Sequence, residues 1–121
     1  AKLPFIRPIL STLREEVGNT AAVIGFVGSP WTLAAYSVEG KADRHLVKTK
    51  SMMLHNPEVL HALLNNLTAA LIDYCFHQIE SGAQIVQVFD SWAHHLSPSQ
   101  FQEFSLPYAE TVIKAVKAKY P

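Results

Sequence analysis

The sequence predicts an α/β fold in which two parallel strands lie among flanking helices. Three observations predict it. Two apolar runs of strand length, Ala21–Val27 (AAVIGFV) and Gln84–Asp90 (QIVQVFD), stand far apart in the chain. Nearly continuous apolar runs of this kind are strands buried on both faces, as in parallel sheets. The order helix, strand, helices, strand, helices is a βαβ pattern, whose crossovers make the strands parallel. Finally, only 17% of the 121 residues are charged against 49% apolar, where a globular chain is about a quarter charged. A small domain has much surface to solvate, and two strands make no stable sheet alone. The residues therefore read as an excerpt of a larger domain, with apolar surface facing further chain.

Each element has its own signals. Phe5–Glu16 places Ile6, Ile9, Leu10 and Leu13 at helical spacing, with Val17 and then Gly18 as a stop, and Pro8 falls in the first turn or kinks the helix. After the first strand, Gly28 ends the run, Ser29 is an N-cap and Pro30 a first helical residue, for a short helix to about Val38 that breaks at Gly40. Asp43–Leu54 reads as a polar helix with Leu46, Val47 and Met53 on its apolar side. Asn56 caps the next helix, Pro57 opens it, and Glu58 sits where the dipole favours a negative charge. Its stripe runs from Leu60 through Leu64, Leu67, Leu71 and Cys75 to Ile79, and Gly82 closes it. Past the second strand, Ser97 and Gln100 form a capping box and Leu96 with Phe101 a hydrophobic staple. Pro107 interrupts that helix, and a last one carries Val112, Ile113 and Val116 toward Lys119.

The composition excludes several classes. Ten Lys plus Arg balance ten Asp plus Glu, which argues against a basic nucleic-acid binder and an acidic tail. No unbroken run of 18 apolar residues occurs, so no membrane-spanning helix is expected. Ala1-Lys2-Leu3-Pro4 has no signal-peptide core. The single cysteine, Cys75, allows no internal disulfide and no Cys-rich metal site, and a reducing compartment suits it.

In parallel α/β folds, ligands meet the chain beyond the carboxyl ends of the strands. Two stretches lie there, Gly28–Tyr36 and Phe89–His95, both rich in small, aromatic and hydroxyl residues. They offer neutral hydrogen-bond donors beside apolar walls, with Trp31 and Trp92 as wall candidates. Tyr36 could equally pack with its hydroxyl in water, and Ser91 could be a turn residue. Asp90, Ser91 and His94 invite a hydrolase reading, but Phe89-Asp90-Ser91-Trp92-Ala93 lacks both glycines of a nucleophile elbow. His94 and His95 are expected to point apart, with no third zinc ligand at a plausible spacing. His45, His55, His61 and His77 read as helix-surface residues, and Cys75 as an inert core thiol. Lys41, Arg44 and Lys48 are expected on one solvated helix face.

Gly25–Gly40 (GFVGSPWTLAAYSVEG) and Gly82–Tyr108 (GAQIVQVFDSWAHHLSPSQFQEFSLPY) resemble the uroporphyrinogen decarboxylases, and the helix between them is similar too. The resemblance covers essentially all 121 residues. It implies an excerpt of a (β/α)₈ TIM barrel, part of a single domain of about 250 residues. It also implies a homodimer that uses no cofactor or metal. The implied reaction removes the four acetate carboxylates of uroporphyrinogen III to give coproporphyrinogen III and carbon dioxide, in bacterial cytoplasm, cytosol or chloroplast stroma. Tyr36 matches the family's substrate-contacting tyrosine, and Ser91 matches its Ser or Thr hydroxyl position. The family's arginine-bearing segment, its aspartate that binds the pyrrole N–H groups and its C-terminal histidine have no match in these residues, and Asp90 is not that aspartate. By the same resemblance Lys41, Arg44 and Lys48 would be a basic rim that attracts an eight-carboxylate substrate. Relatives continue Val-Glu-Gly with glycine and serine, whereas here Lys41-Ala42-Asp43 follows Gly40.

The chemistry agrees with neutral donors. Loss of carbon dioxide from an acetate on a pyrrole needs an electron sink, which a ring protonated at its α-carbon supplies. A phenol, with an ordinary pKa near ~10, and a serine hydroxyl both donate to a carboxylate without adding charge. A corrinoid methyltransferase on the same barrel is an alternative reading, but it needs zinc held by His and Cys, and Cys75 has no partner spacing. A non-catalytic interaction fragment is the reading if the chain exists alone.

Overall fold

The computed structural model describes residues 3–121. Ala1 and Lys2, half of the stretch read for a signal core, lie outside the described residues. The elements run α1 (Ile6–Val17), β1 (Ile24–Gly28), α2 (Pro30–Glu39), α3 (Val47–His55), α4 (Pro57–Glu80), β2 (Ile85–Phe89), a 3₁₀ turn (Ala93–His95), α5 (Pro98–Phe104) and α6 (Leu106–Lys119). The two strands pair in parallel, from Ile24 opposite Ile85 to Gly28 opposite Phe89. The predicted βαβ crossover is thus present, with three helices in it.

α4 is the element around which the rest packs. Leu60 and Leu64 are fully buried with Trp31, Ala34, Leu46, Met53 and Phe104, between α2, α3 and α5. Further along the same stripe, Leu71 and Cys75 pack with Val27 of β1 and Val112 of α6. Each such leucine is worth about 1.5–3 kcal/mol of burial. Gly25 leaves room for the end of the Gln78 side chain from α4: a Cβ there would meet the Gln78 Oε1, and Gln78 donates from Nε2 to the Phe26 carbonyl at 2.9 Å.

The strands are covered on one face only, as expected of an excerpt whose apolar surface faces further chain: Gly25 and Val27 are buried, while Ile24 and Phe26 are 59% and 65% exposed. A strand apolar at every position needs a layer on each side, and the helices described here supply one. The helix expected from Asp43 begins at Val47 instead. The Asp43 carboxylate accepts the His45 and Leu46 backbone N–H groups at 2.8 and 3.1 Å. Leu46 then turns into the left-handed region at φ 48° while its side chain enters the core. α3 is capped from elsewhere, by the Glu39 Oε1 accepting from the Thr49 N–H and Oγ1 at 2.8 and 2.9 Å. Lys41 and Arg44 consequently lie in the connecting loop and only Lys48 on the helix, so the three share no helix face. Asn56 precedes α4 without a side-chain cap, and its carbonyl accepts from Val59 and Leu60 instead.

The membrane exclusion also needs restating. α4, at 24 residues, is long and apolar enough to cross a bilayer. Asn65, Asn66 and Asp73 interrupt the run without making the helix polar on average. In this fold Leu60, Leu64, Leu71 and Cys75 of its stripe pack against protein.

Candidate active site

Both strands end in loops that meet at one place. After β1, Ser29 caps α2 by accepting the Thr32 N–H at 3.3 Å, and Pro30 follows as the first helical residue, as the sequence predicts. α2 then runs to Gly40, whose φ of 76° makes the left-handed stop that favours glycine. After β2, the chain turns through Asp90 and Ser91 into the 3₁₀ turn. An open pocket of about 510 Å³ lies between these loops, lined by Phe26, Gly28, Thr32, Leu33, Tyr36, Phe89 and Ser91. The fold therefore brings Tyr36 and Ser91, which are far apart in sequence, to one cavity. Its apolar side is the pair Phe26–Phe89, edge to face at 6.0 Å. Tyr36 is about two-fifths exposed and stands edge-on to Trp92 at 5.8 Å.

Neither tryptophan lines the pocket as expected: Trp92 packs against the helical core and meets the pocket only through its edge-on contact with Tyr36. Trp31 is completely buried in the helical core and donates from Nε1 to the Trp92 carbonyl at 3.1 Å. Its position one residue into α2 turns it away from the pocket and makes it a tie between the two loops. His94 and His95 do not point apart. Their rings lie 4.2 Å from one another, and both pack on the Trp92 indole. The tight 3₁₀ turn folds both back over the same aromatic surface. Burial, with His94, Lys50 and His45 nearby, holds the His95 pKa below its ordinary value. Among the described residues, no three His, Cys, Asp or Glu side chains gather as a metal-binding group.

The hydrolase arrangement is not assembled. His94 Nδ1 lies 2.9 Å from the Ser91 backbone carbonyl rather than from its hydroxyl. Asp90 is engaged elsewhere: its carboxylate accepts from the Ser29 and Ser105 hydroxyls and from Thr32 Oγ1, the last at 2.7 Å. Thr32 Oγ1 in turn accepts the Trp92 N–H at 3.2 Å. No sequence signal announces this network. Ser29 is legible as a cap, but nothing in the sequence couples Ser105 to Asp90.

The remaining histidines divide. His45 and His55 are exposed, His45 in the loop rather than on a helix. His61 is partly buried, with Nδ1 against the Tyr108 hydroxyl and its ring stacked on Phe104 at 4.7 Å. His77 is also partly covered, with Nε2 buried. The surface expectation fails for these two because α4 is packed on several sides. Cys75 is 1% exposed, and burial pushes its thiol pKa up, as an inert core thiol requires.

The family model described as uroporphyrinogen decarboxylase (URO-D) matches residues 1–121. The uroporphyrinogen decarboxylase of Thermosynechococcus vestitus is 54% identical over 121 residues, all of this chain and 35% of that protein. Those of a Picosynechococcus species and of Crocosphaera subtropica are 54% and 51% identical over 119 residues, 98% of this chain and 34% of each relative. The chain thus spans about a third of the length of the curated relatives it matches. The parallel strands, each followed by helix, and the pocket at their carboxyl ends fit a segment of the family's TIM barrel. With its whole length matched in this way, the chain belongs to the uroporphyrinogen decarboxylase family.

Proposed function

We propose that these residues supply part of the active site of a cofactor-independent decarboxylase. It converts uroporphyrinogen III to coproporphyrinogen III by removing four acetate carboxylates. The observation that carries this reading is the convergence of Tyr36 and Ser91, one from each strand-end loop, on a single pocket with an apolar wall. In the reaction, a pyrrole ring protonated at its α-carbon is the electron sink. The bond between the acetate methylene and its carboxylate breaks, its electron pair passes into the cationic ring, and carbon dioxide leaves. The methylene carbon then takes a proton to become methyl, and the α-carbon returns its own. The tasks left to the protein are to orient the leaving carboxylate and to stabilise charge in a water-poor site. The Tyr36 and Ser91 hydroxyls serve the first by donating to that carboxylate, and Phe26 and Phe89 serve the second by excluding water.

Residues 1–121 are, on this reading, part of a single barrel domain in a homodimer, working in cytoplasm or chloroplast stroma. The names of the relatives favour this over a corrinoid methyltransferase. So does the burial of Cys75, the one cysteine in these residues. Tyr36→Phe in the complete gene product tests the assignment. A hydrogen bond to a charged group is worth roughly 1.5–3 kcal/mol, so turnover should fall about ten- to a hundred-fold with an unchanged melting temperature. Wild-type kinetics in that variant would remove Tyr36 from the site.

A further inference from the structure

We infer that Asp90 is a positioning residue: its carboxylate fastens the loop after β2 to the first turn of α2 and so sets the separation of the Ser91 and Tyr36 hydroxyls. The inference rests on the reading that those two groups act on substrate.

A carboxylate only accepts hydrogen bonds, and Asp90 receives three, two from the start of α2 and one from the break between α5 and α6. Ser29 is the N-cap of α2, Thr32 lies in that helix's first turn, and Ser105 lies in the break between α5 and α6. All three donors are buried. Each hydroxyl has one proton, so donation to Asp90 fixes the direction of its other bonds. Ser29 Oγ has a lone pair left for the Thr32 N–H, and Thr32 Oγ1 has one for the Trp92 N–H. Thr32 thereby grips the second loop at both residues that flank Ser91. Tyr36 is one helical turn beyond Thr32 and on the same face, and its ring rests edge-on against Trp92. Tyr36 and Ser91, which both line the pocket, therefore hang from one frame, with Asp90 at its centre.

The frame also explains why an acid stands at this position. The carboxylate sits at the N-terminus of α2, whose own first turn holds no acidic residue, and the helix dipole favours negative charge there. Ser29 and Thr32 donate to one carboxylate oxygen and Ser105 to the other, so an amide at position 90 would keep the first two bonds with its own oxygen and reverse only the third, whereas alanine removes the acceptors of all three. A misplacement of about 1 Å at reacting groups costs on the order of a hundred-fold in rate.

The test is a double-mutant cycle in the complete gene product, with kcat, KM and thermal melting measured for Asp90→Ala, Tyr36→Phe and the pair. Asp90→Ala should lower kcat about tenfold or more while KM holds. The double variant should be no slower than the worse single one, because coupled sites are not additive. Thr32→Ser, which keeps the hydroxyl, should recover most of the turnover lost in Thr32→Val. Wild-type kcat in Asp90→Ala, or losses that multiply in the double variant, would overturn the positioning role. A wild-type Tyr36→Phe would instead overturn the underlying site assignment. Should Asp90→Ala not fold, Thr32→Val takes its place in the cycle: non-additive losses with Tyr36→Phe support the frame, and wild-type kcat or multiplying losses overturn it.

Discussion

The two faces of the sheet are built from alternate residues of the same two strands, yet they have opposite roles. On one, Gly25 and Val27 lie buried, with α4 close above them. On the other, one residue along in each case, Ile24, Phe26, Ile85 and Phe89 are at least half exposed. Side chains alternate along a strand, so burial on one side says nothing about the other. The Tyr36–Ser91 pocket opens on the bare side, where Phe26 and Phe89 line it. The covered face holds the chain together, and the bare face carries the proposed chemistry. A barrel makes the same division, with helices outside and the site at the strand ends.

The largest expected effect breaks this comparison outright. The 121 residues expressed alone should show helical circular dichroism but no sharp thermal transition and no decarboxylase activity, because the bare face favours aggregation. A soluble monomer with one cooperative melt would mean that the bare face needs no cover. Next in size, Leu64→Ala in the complete gene product should cost about 2–5 kcal/mol in denaturant unfolding, since it empties a fully buried site. In the isolated chain, Phe26→Ser should leave helicity unchanged and improve solubility, whereas Leu64→Ala should reduce helicity. Equal effects from the two would erase the distinction between the faces.

Smaller effects sharpen it at the strand ends. Ser91→Ala should slow turnover less than Tyr36→Phe, because serine has a shorter reach, and partly decarboxylated intermediates should accumulate. A product profile matching wild type at every time point would count against Ser91. The least effect concerns His95, whose folded pKa is held down chiefly by burial, so that its neutral form is favoured. The unfolded chain then binds more protons as pH falls through the ordinary imidazole value near ~6.5. Its contribution to stability is present above that pH and lost below it. An NMR titration of His95 should have its midpoint below that of free imidazole, and His95→Gln should flatten the melting profile between about pH 5 and 7.

Local signals in the sequence hold where the cause is local. The Ser29 cap with Pro30, the Gly40 stop, the Ser97–Gln100 box and the Pro107 break all lie where the sequence puts them. Each depends on atoms within one turn of the residue concerned. Asp43–Leu46 departs from its helical pattern because a carboxylate turn and a left-handed leucine compete with helix, and burial of Leu46 decides between them. Trp31 departs from its expected place for a related reason: both tryptophans follow a strand, but only packing says which one is wholly buried.

By itself the sequence determined the alternation of strand and helix, the parallel crossover and the caps and stops, which follow from periodicity and from short-range hydrogen bonding that adjacent residues encode. Its two long motifs carried the resemblance to the family, and with it the proposal of Tyr36 and Ser91. Only the tertiary structure decided which strand face is covered, that Tyr36 and Ser91 share a pocket, that His94 and His95 stack together, and that Ser29, Thr32 and Ser105 converge on Asp90. Each of these depends on how whole elements pack. Which of many buried hydroxyls meets a given carboxylate is settled by that packing, a choice no local pattern records.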